Sequence, residues 1–359
     1  MSKEIQQIIE KLNSLPDGEK AILATVVDVE GSGYRRPGAR MLIDQNGYGI
    51  GTVSGGCLEA DVLERAKKVL QTGEATVITY DTTSDENSVF GLGMGCRGIV
   101  KILLEPIEKE SDFIEFLSVC VNRRLPGNIA TLINPHATEL KIGWRLFENE
   151  FRDLSNNPSI DQIIGIDDLP ENKPAIANSI IGEVFVETIK PPIELKLFGA
   201  GFDAIPLVRI AKEIGWRVSV VDHRTAYANA ERLPEADEIR VAGLHDLPEE
   251  FFADENAVAV VMTHNYDRDR AILPRLLRAN FLYIGALGPK KRTDKILAES
   301  GEDFSAERLS RLHAPVGLDI GADTPETIAL SIVAEIQATL KDREGGFLRE
   351  RKGSIYGRD

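Results

Sequence analysis

The sequence predicts an α/β protein in two parts: a C-terminal domain built on a parallel sheet, and a smaller N-terminal domain of mixed α+β character. Three observations predict it. Residues 195–224 read as strand, glycine turn, helix and strand; beyond them apolar strands keep alternating with helix-period segments. Residues 21–104 run instead as β-branched segments joined by glycine turns and one hairpin signal.

In chain order, residues 1–20 are charged, with Ile5, Ile8, Ile9, Leu12 and Leu15 at helical spacing, and predict an amphipathic helix. Ala21–Val29 is a buried strand, Gly31–Gly38 a loop, and Arg40–Asp44 a second strand. Asn46-Gly47 signals a hairpin, from which Tyr48–Val53 returns to the turn Ser54-Gly55-Gly56-Cys57. Leu58–Leu70 is helical, with Cys57 and Glu59 at its start, and Ala75–Tyr80 is a strand. A polar loop, Asp81–Ser88, and a glycine-rich passage, Gly91–Gly98, lead to the strand Ile99–Leu104. A helix over 111–124 precedes short strands that include Ile129–Ile133, Glu139–Trp144 and Gly182–Thr188. Pro191-Pro192 breaks helix and sheet alike and bounds an N-terminal domain of residues 1–190.

The second domain, residues 195–343, opens on Leu195, Leu197 and Phe198, followed by Gly199-Ala200-Gly201. Ala204, Leu207, Val208, Ala211 and Ile214 then share a helix face, Gly215 ends the helix, and Arg217–Val221 is the next strand, with Asp222 at its tip. This is the Rossmann-like, dinucleotide-binding pattern. Gly199 allows the tight turn, Gly201 lets the backbone approach a pyrophosphate, and Ala204 permits close packing of helix on strand. The helix start offers unpaired N–H groups to an anion, and Asp222 can accept from a ribose diol, favouring NAD over NADP. Asp203 puts a negative charge beside such an anion, and Pro206 sits early in the helix. Ala257–Thr263 and Phe281–Gly285 are further strands; Arg268–Ala279, Lys290–Ser300 and Thr324–Leu340 are helices, the last begun by Thr324-Pro325-Glu326. Residues 344–359 form a charged tail.

Composition narrows the function. A net charge of −15 argues against nucleic-acid backbones and basic membrane docking. No signal segment or membrane-length apolar run is present, so a cytoplasmic protein is expected, with no membrane insertion. Three cysteines (Cys57, Cys96, Cys120) give no disulfide framework and cannot ligate a four-cysteine iron–sulfur cluster. Five histidines show no metal spacing and no partnership with a nucleophile.

Chemistry is expected at four places. In Ser54-Gly55-Gly56-Cys57, successive glycines before a helix can form an anion nest, and a thiol there feels the helix dipole, which favours the thiolate. A tight turn with a small cysteine would read the same way. Cys96 stands in the comparable Gly91–Gly98 loop, whereas Cys120 lies on an apolar helix face and reads as core. Arg35, Arg36 and Arg40 flank the first glycine loop, as phosphate partners or solvated charges. Gly285, Gly288, Lys290 and Arg292 place basic residues at a helix start, against its dipole, which implies a compensating anion. His264 follows an apolar strand at the carboxyl edge of the sheet, where such folds bind ligands.

With these segments together, the chain resembles the XdhC/CoxI family, accessory proteins of molybdenum hydroxylases such as xanthine dehydrogenase. The matching stretches are ATVVDVEGSGYRRPGARMLI, GTVSGGCLEADVLERA, GMGCRGIVKILLEP, LKLFGAGFDAIPLVRIA, VVDHR, VVMTHNYDRD, YIGALGPKKR and PVGLDIGADTPETIALSIVAEI. They occur in family order and leave only about residues 110–190 unmatched. The resemblance implies a protein that binds the molybdenum cofactor (molybdopterin or its dinucleotide form) and helps sulfurate and insert it into a hydroxylase apoenzyme. It implies a cofactor chaperone rather than a turnover enzyme, even under a xanthine dehydrogenase label. By position, Ser54–Cys57 and Glu59 match the family's SGGC-E motif, with Cys57 and Glu59 the candidate reactive pair and Cys57 the candidate contact to the terminal sulfur or metal. Cys96 matches its second cysteine loop, and Gly199, Gly201 and Asp222 its Rossmann motif. Phe202-Asp203 replaces a pair that usually contains histidine, and His223 stands where proline is common. A cysteine desulfurase and further copies of the chain are the other candidate partners. Two alternatives stay open: an NAD(P)-dependent oxidoreductase, which lacks a visible acid/base constellation, and a nucleotide-sensing regulator.

Overall fold

The apolar spacing at Ile5, Ile8, Ile9 and Leu12 closes into helix α1 (Ser2–Asn13) in a computed structural model of the chain, with all four side chains buried. The structure describes residues 2–31, 33–81, 98–137, 139–148, 160, 173–243 and 246–352. The chain divides into two units, Met1–Pro191 and Pro192–Asp359. The N-terminal unit, expected to be the smaller, is the longer of the two.

The N-terminal unit holds two antiparallel sheets. The first contains β1 (Ala21–Gly31), β2 (Arg40–Ile43), β3 (Gly49–Gly51), β4 (Thr76–Asp81) and β5 (Gly98–Ile107), in the order β3-β2-β1-β5-β4. Helix α2 (Glu59–Thr72) lies on one face, where Val62, Ala66 and Val69 meet Ile22, Ala24 and Val26 of β1. The alternate β1 residues Ala21 and Leu23 join α1 and α3 (Asp112–Asn122) on the other. This is the period-2 alternation of a strand covered on both sides. The second sheet, in the order β7-β6-β9-β8, is built from β6 (Gly127–Pro135), β7 (Arg145–Glu148), β8 (Ala175–Ser179) and β9 (Gly182–Ile189). Val27 and Leu103 of the first sheet pack on Ile133 and Phe185 of the second. Two ion pairs also join the sheets, Arg40 with Glu187 and Arg145 with Glu105. The expected strand Glu139–Trp144 is a turn, and the strand begins at Arg145. Gly143 takes φ +90°, a left-handed conformation that interrupts extended backbone.

The C-terminal unit carries one parallel sheet: β10 (Glu194–Phe198), β11 (Arg217–Asp222), β12 (Glu238–Val241), β13 (Ala257–Val261), β14 (Tyr283–Ala286) and β15 (Leu312–His313). Their order is β12-β11-β10-β13-β14-β15. Counted from β10 this is 3-2-1-4-5-6, the doubly wound Rossmann order, whose direction reverses between β10 and β13. Alternate residues of β13 face opposite cores. Val258 and Val260 pack beneath α4 (Ala204–Glu213) and the C-terminal helix Pro325–Leu340, while Ala257, Ala259 and Val261 pack against the helix Tyr266–Arg278. Burying Leu207 or Val208 of α4 stabilises the layer by about 1.5–3 kcal/mol each. Thr324 caps the last helix in a capping box with Thr327, as its start signal predicts.

Candidate functional site

Phe198 pairs with Val221 on one side and Val261 on the other, so β10, β11 and β13 end level. Gly199 and Met262 therefore leave the sheet together at the switch point, beside Asp222, the last residue of β11. Gly199 takes φ +118°, and a Cβ there would lie 2.4 Å from the Met262 carbonyl oxygen, so the turn is built for glycine. Ala204 is fully buried where α4 meets the sheet. Asp203 stands at the N-cap of α4 without making a capping bond, leaving the helix start uncapped by that side chain. Pro206 falls in the first turn, where a missing N–H breaks no intrahelical bond.

Asp222 is 6% exposed and heavily bonded. Its Oδ1 accepts from the Arg224 N–H and Nε, each at 2.9 Å; its Oδ2 accepts from the Ala200 N–H at 2.9 Å and Arg224 Nη2 at 2.7 Å. Burial opposes the charge, but the bonds from Arg224 and the two backbone N–H groups outweigh it and hold the carboxyl well below the ordinary aspartate range. Asp222 thus ties the glycine turn to the end of β11.

The charge of Asp203 has a partner: His264 Nε2 lies 2.6 Å from its Oδ2. His264 holds φ +55°, uncommon outside glycine, at the carboxyl end of β13. A Cβ on Gly201 would lie 2.5 Å from Asp203 Oδ1, so the missing side chain makes room for this carboxylate over the turn. The next residues form a second network. Asp269 is 4% exposed, accepts from Thr263 Oγ1 at 2.5 Å and pairs with Arg292. Burial pushes its carboxyl up, against the opposing pull of Thr263 and Arg292. The anion that compensates Arg292 at its helix start is therefore Asp269. Lys290 is exposed, Gly288 turns the chain at φ +127°, and Gly285 is closely packed, a Cβ there falling 2.5 Å from Val316 Cγ2.

In the N-terminal unit, Gly55, Gly56 and Cys57 are exposed on the turn before α2. Gly56 takes φ +106°, and the Tyr34 ring covers Gly55, 3.1 Å from where a Cβ would stand. Ser54 is buried and its hydroxyl oxygen accepts from the Leu58 N–H at 3.0 Å. Glu59 braces the same turn: Oε1 accepts from the Ser54 N–H at 2.9 Å and Thr52 Oγ1 at 2.5 Å, and Oε2 bonds the Ser54 hydroxyl. Burial opposes its charge, yet the bonds from Ser54 and Thr52 prevail and hold the carboxyl below its ordinary value. The result is an exposed thiol on a double-glycine turn braced by Ser54 and Glu59 at a helix start.

The structure gathers Gly199, Gly201, Ala204, Asp222 and His264 at one sheet edge, and Arg292 reaches the end of β13 through Asp269 and Thr263. Ser54–Glu59 belong to the other unit. Cys96 and the loop 91–97 lie outside the described residues. Arg35 pairs with Glu4, and Arg40, 1% exposed, with Glu187; both brace the N-terminal unit. Cys120 is fully buried, its thiol pushed up to about 12 by that burial. Sequence reading misses Asp269 and Arg224 as members of the site, although Arg224 stands just two residues past Asp222. Among the described residues, no cluster of three or more His, Cys, Asp or Glu side chains could hold a metal, and no helix is long and apolar enough to cross a membrane.

Comparison with known proteins adds a family. The XdhC Rossmann domain model matches residues 195–336, and the XdhC and CoxI family model matches residues 14–81. A Bacillus subtilis (strain 168) protein named as a probable xanthine dehydrogenase subunit is 36% identical over 333 residues, spanning 91% of this chain and 95% of its own length. The molybdenum cofactor insertion chaperone PaoD of Escherichia coli (strain K12) is 22% identical over 343 residues, 93% of this chain and 87% of its own. A crystal structure described as a xanthine dehydrogenase from Bacillus halodurans superposes with a TM-score of 0.76 at 30% identity, covering 96% of this chain and 97% of that one.

Proposed function

Since the chain belongs to the XdhC and CoxI family, we propose that it is a molybdenum cofactor chaperone: it binds the cofactor as cargo, helps sulfurate it and delivers it to a xanthine dehydrogenase-type apoenzyme. The observation that carries this reading is the hydrogen-bonded turn Ser54–Glu59, which holds an exposed thiol beside the N–H groups of a helix start. Backbone N–H groups there suit a pterin phosphate, and the exposed Cys57 is the group proposed to contact the cargo's terminal sulfur or metal. Glu59 acts through the turn, because its carboxylate is held ionised by Ser54 and Thr52. The names of the two full-length relatives, one a cofactor insertion chaperone and one a hydroxylase component, support cargo and client alike.

In the C-terminal unit, the uncapped start of α4 beside Gly199–Gly201 suits a pyrophosphate. It would take the nucleotide end of a pterin dinucleotide or a separate nicotinamide nucleotide. A cysteine desulfurase is the expected sulfur donor. The test is cofactor retention: the chain is mixed with isolated molybdenum cofactor, desalted and assayed for bound molybdenum, then for activation of a hydroxylase apoenzyme. Cys57→Ser is expected to lower both at least tenfold. Full retention and activation by Cys57→Ser and Cys96→Ser, each alone, would remove the cysteines from the mechanism.

A further inference from the structure

We propose that the C-terminal unit selects a nucleotide bearing a phosphate on its ribose 2′-hydroxyl. The inference rests on the reading that this unit binds a nucleotide, and it concerns the end of β11, where the ribose of a dinucleotide lies in this fold.

A bare ribose diol needs a carboxylate with room to accept. Asp222 has no such room: a carboxylate offers about four lone-pair sites, and here its two oxygens already accept four hydrogen bonds, from Ala200 and Arg224. His223 Nδ1 also lies 3.0 Å from Asp222 Oδ1, and the Asp222 side chain is only 3% exposed. The negative charge that would repel a 2′-phosphate is also matched by the bidentate Arg224 guanidinium. Selection against a 2′-phosphate, expected from Asp222 alone, therefore does not hold in this geometry.

Beside that pair stands a shelf of rings and guanidinium groups. Arg224 lies 4.1 Å and Arg232 4.9 Å from the Tyr227 ring centroid, and Arg232 lies 4.5 Å from that of Phe202. Phe202 directly follows Gly201, is 68% exposed and meets Tyr227 edge-on with centroids 6.4 Å apart. The shelf therefore begins at the glycine turn itself. Arg232 Nε and Nη2 are buried yet have no hydrogen-bond partner among the described residues. Arg232 is itself only half-buried and forms no ion pair among the described residues, so its charge is left for an anion. A phosphate dianion supplies several acceptor oxygens in the geometry a guanidinium fork prefers, and the exposed Phe202 ring offers a stacking face for the attached base.

The test uses the full chain and two ligands that differ only in this group, NADP and NAD, titrated by calorimetry, with inorganic phosphate as competitor. NADP is expected to bind at least tenfold tighter than NAD. Arg232→Met, which keeps an apolar stem against Phe202, is expected to abolish most of that preference while leaving NAD affinity unchanged. NAD binding as tightly as NADP, or inorganic phosphate displacing NADP at equal concentration, overturns the inference and leaves nucleotide binding standing. Binding of neither overturns the inference and the nicotinamide reading of this unit together, leaving only the pterin dinucleotide as its nucleotide.

Discussion

Asp222 joins the glycine turn to Arg224, and its substitution should be felt in stability as well as in ligand affinity. Asp222→Asn removes the anion from a buried pair whose cation is partly solvated, so the expected loss is about 1–3 kcal/mol in chemical denaturation. The pH dependence has a definite sign. The native carboxyl titrates below the unfolded one, so its stabilisation is complete above the ordinary aspartate range and is lost as pH falls below it. Wild type should therefore lose more stability than Asp222→Asn over that acid window; parallel curves would show that the pair contributes nothing. At this scale the sequence reveals positions but not partners. Asp222 is legible because it ends an apolar strand at the expected distance from Gly199. That Arg224 folds back onto it, or that His264 answers Asp203, depends on side-chain directions and on strands brought level by the sheet.

Turns and sheets make different predictions. Gly199 and Gly56 both hold positive φ, but a Cβ on Gly199 would meet backbone at 2.4 Å, whereas one on Gly56 meets nothing within 4 Å. Gly199→Ala should cost several kcal/mol or prevent folding, and Gly56→Ala only about 1–2 kcal/mol. Melting temperatures of the two variants check that ranking. In the N-terminal unit, Arg40→Ala strands Glu187, 3% exposed, and should cost about 3–5 kcal/mol. Arg40→Met with Glu187→Leu should recover most of that loss in urea denaturation. The strand and helix rhythm is readable because apolar period and glycine turns are local signals; Ala257–Thr263 reads as a strand covered on both faces, and Ala257–Val261 forms it. The strand at Arg145–Glu148 is harder to place because the pattern before it carries apolar residues through a glycine that turns the chain. The ion pair joining Arg40 to Glu187 is a contact of high sequence separation that no local pattern announces.

Over the whole molecule, the sequence motifs fall into two units, a Rossmann sheet with its crevice residues and an antiparallel unit with an exposed thiol turn. A parallel sheet follows from the repeated strand–turn–helix units, whereas the order 3-2-1-4-5-6 and the make-up of the N-terminal unit, two sheets bridged by ion pairs, do not. Function is legible chiefly through several glycine and cysteine motifs occurring in one family order, since each motif alone fits a structural turn as well as a site. The decisive measurement is calorimetry of the intact chain with isolated molybdenum cofactor, beside NAD and NADP on the same preparation. Saturable binding of the cofactor, weakened at least tenfold by Cys57→Ser, is the predicted result; binding of a nicotinamide nucleotide with no affinity for the molybdenum cofactor would contradict the chaperone function.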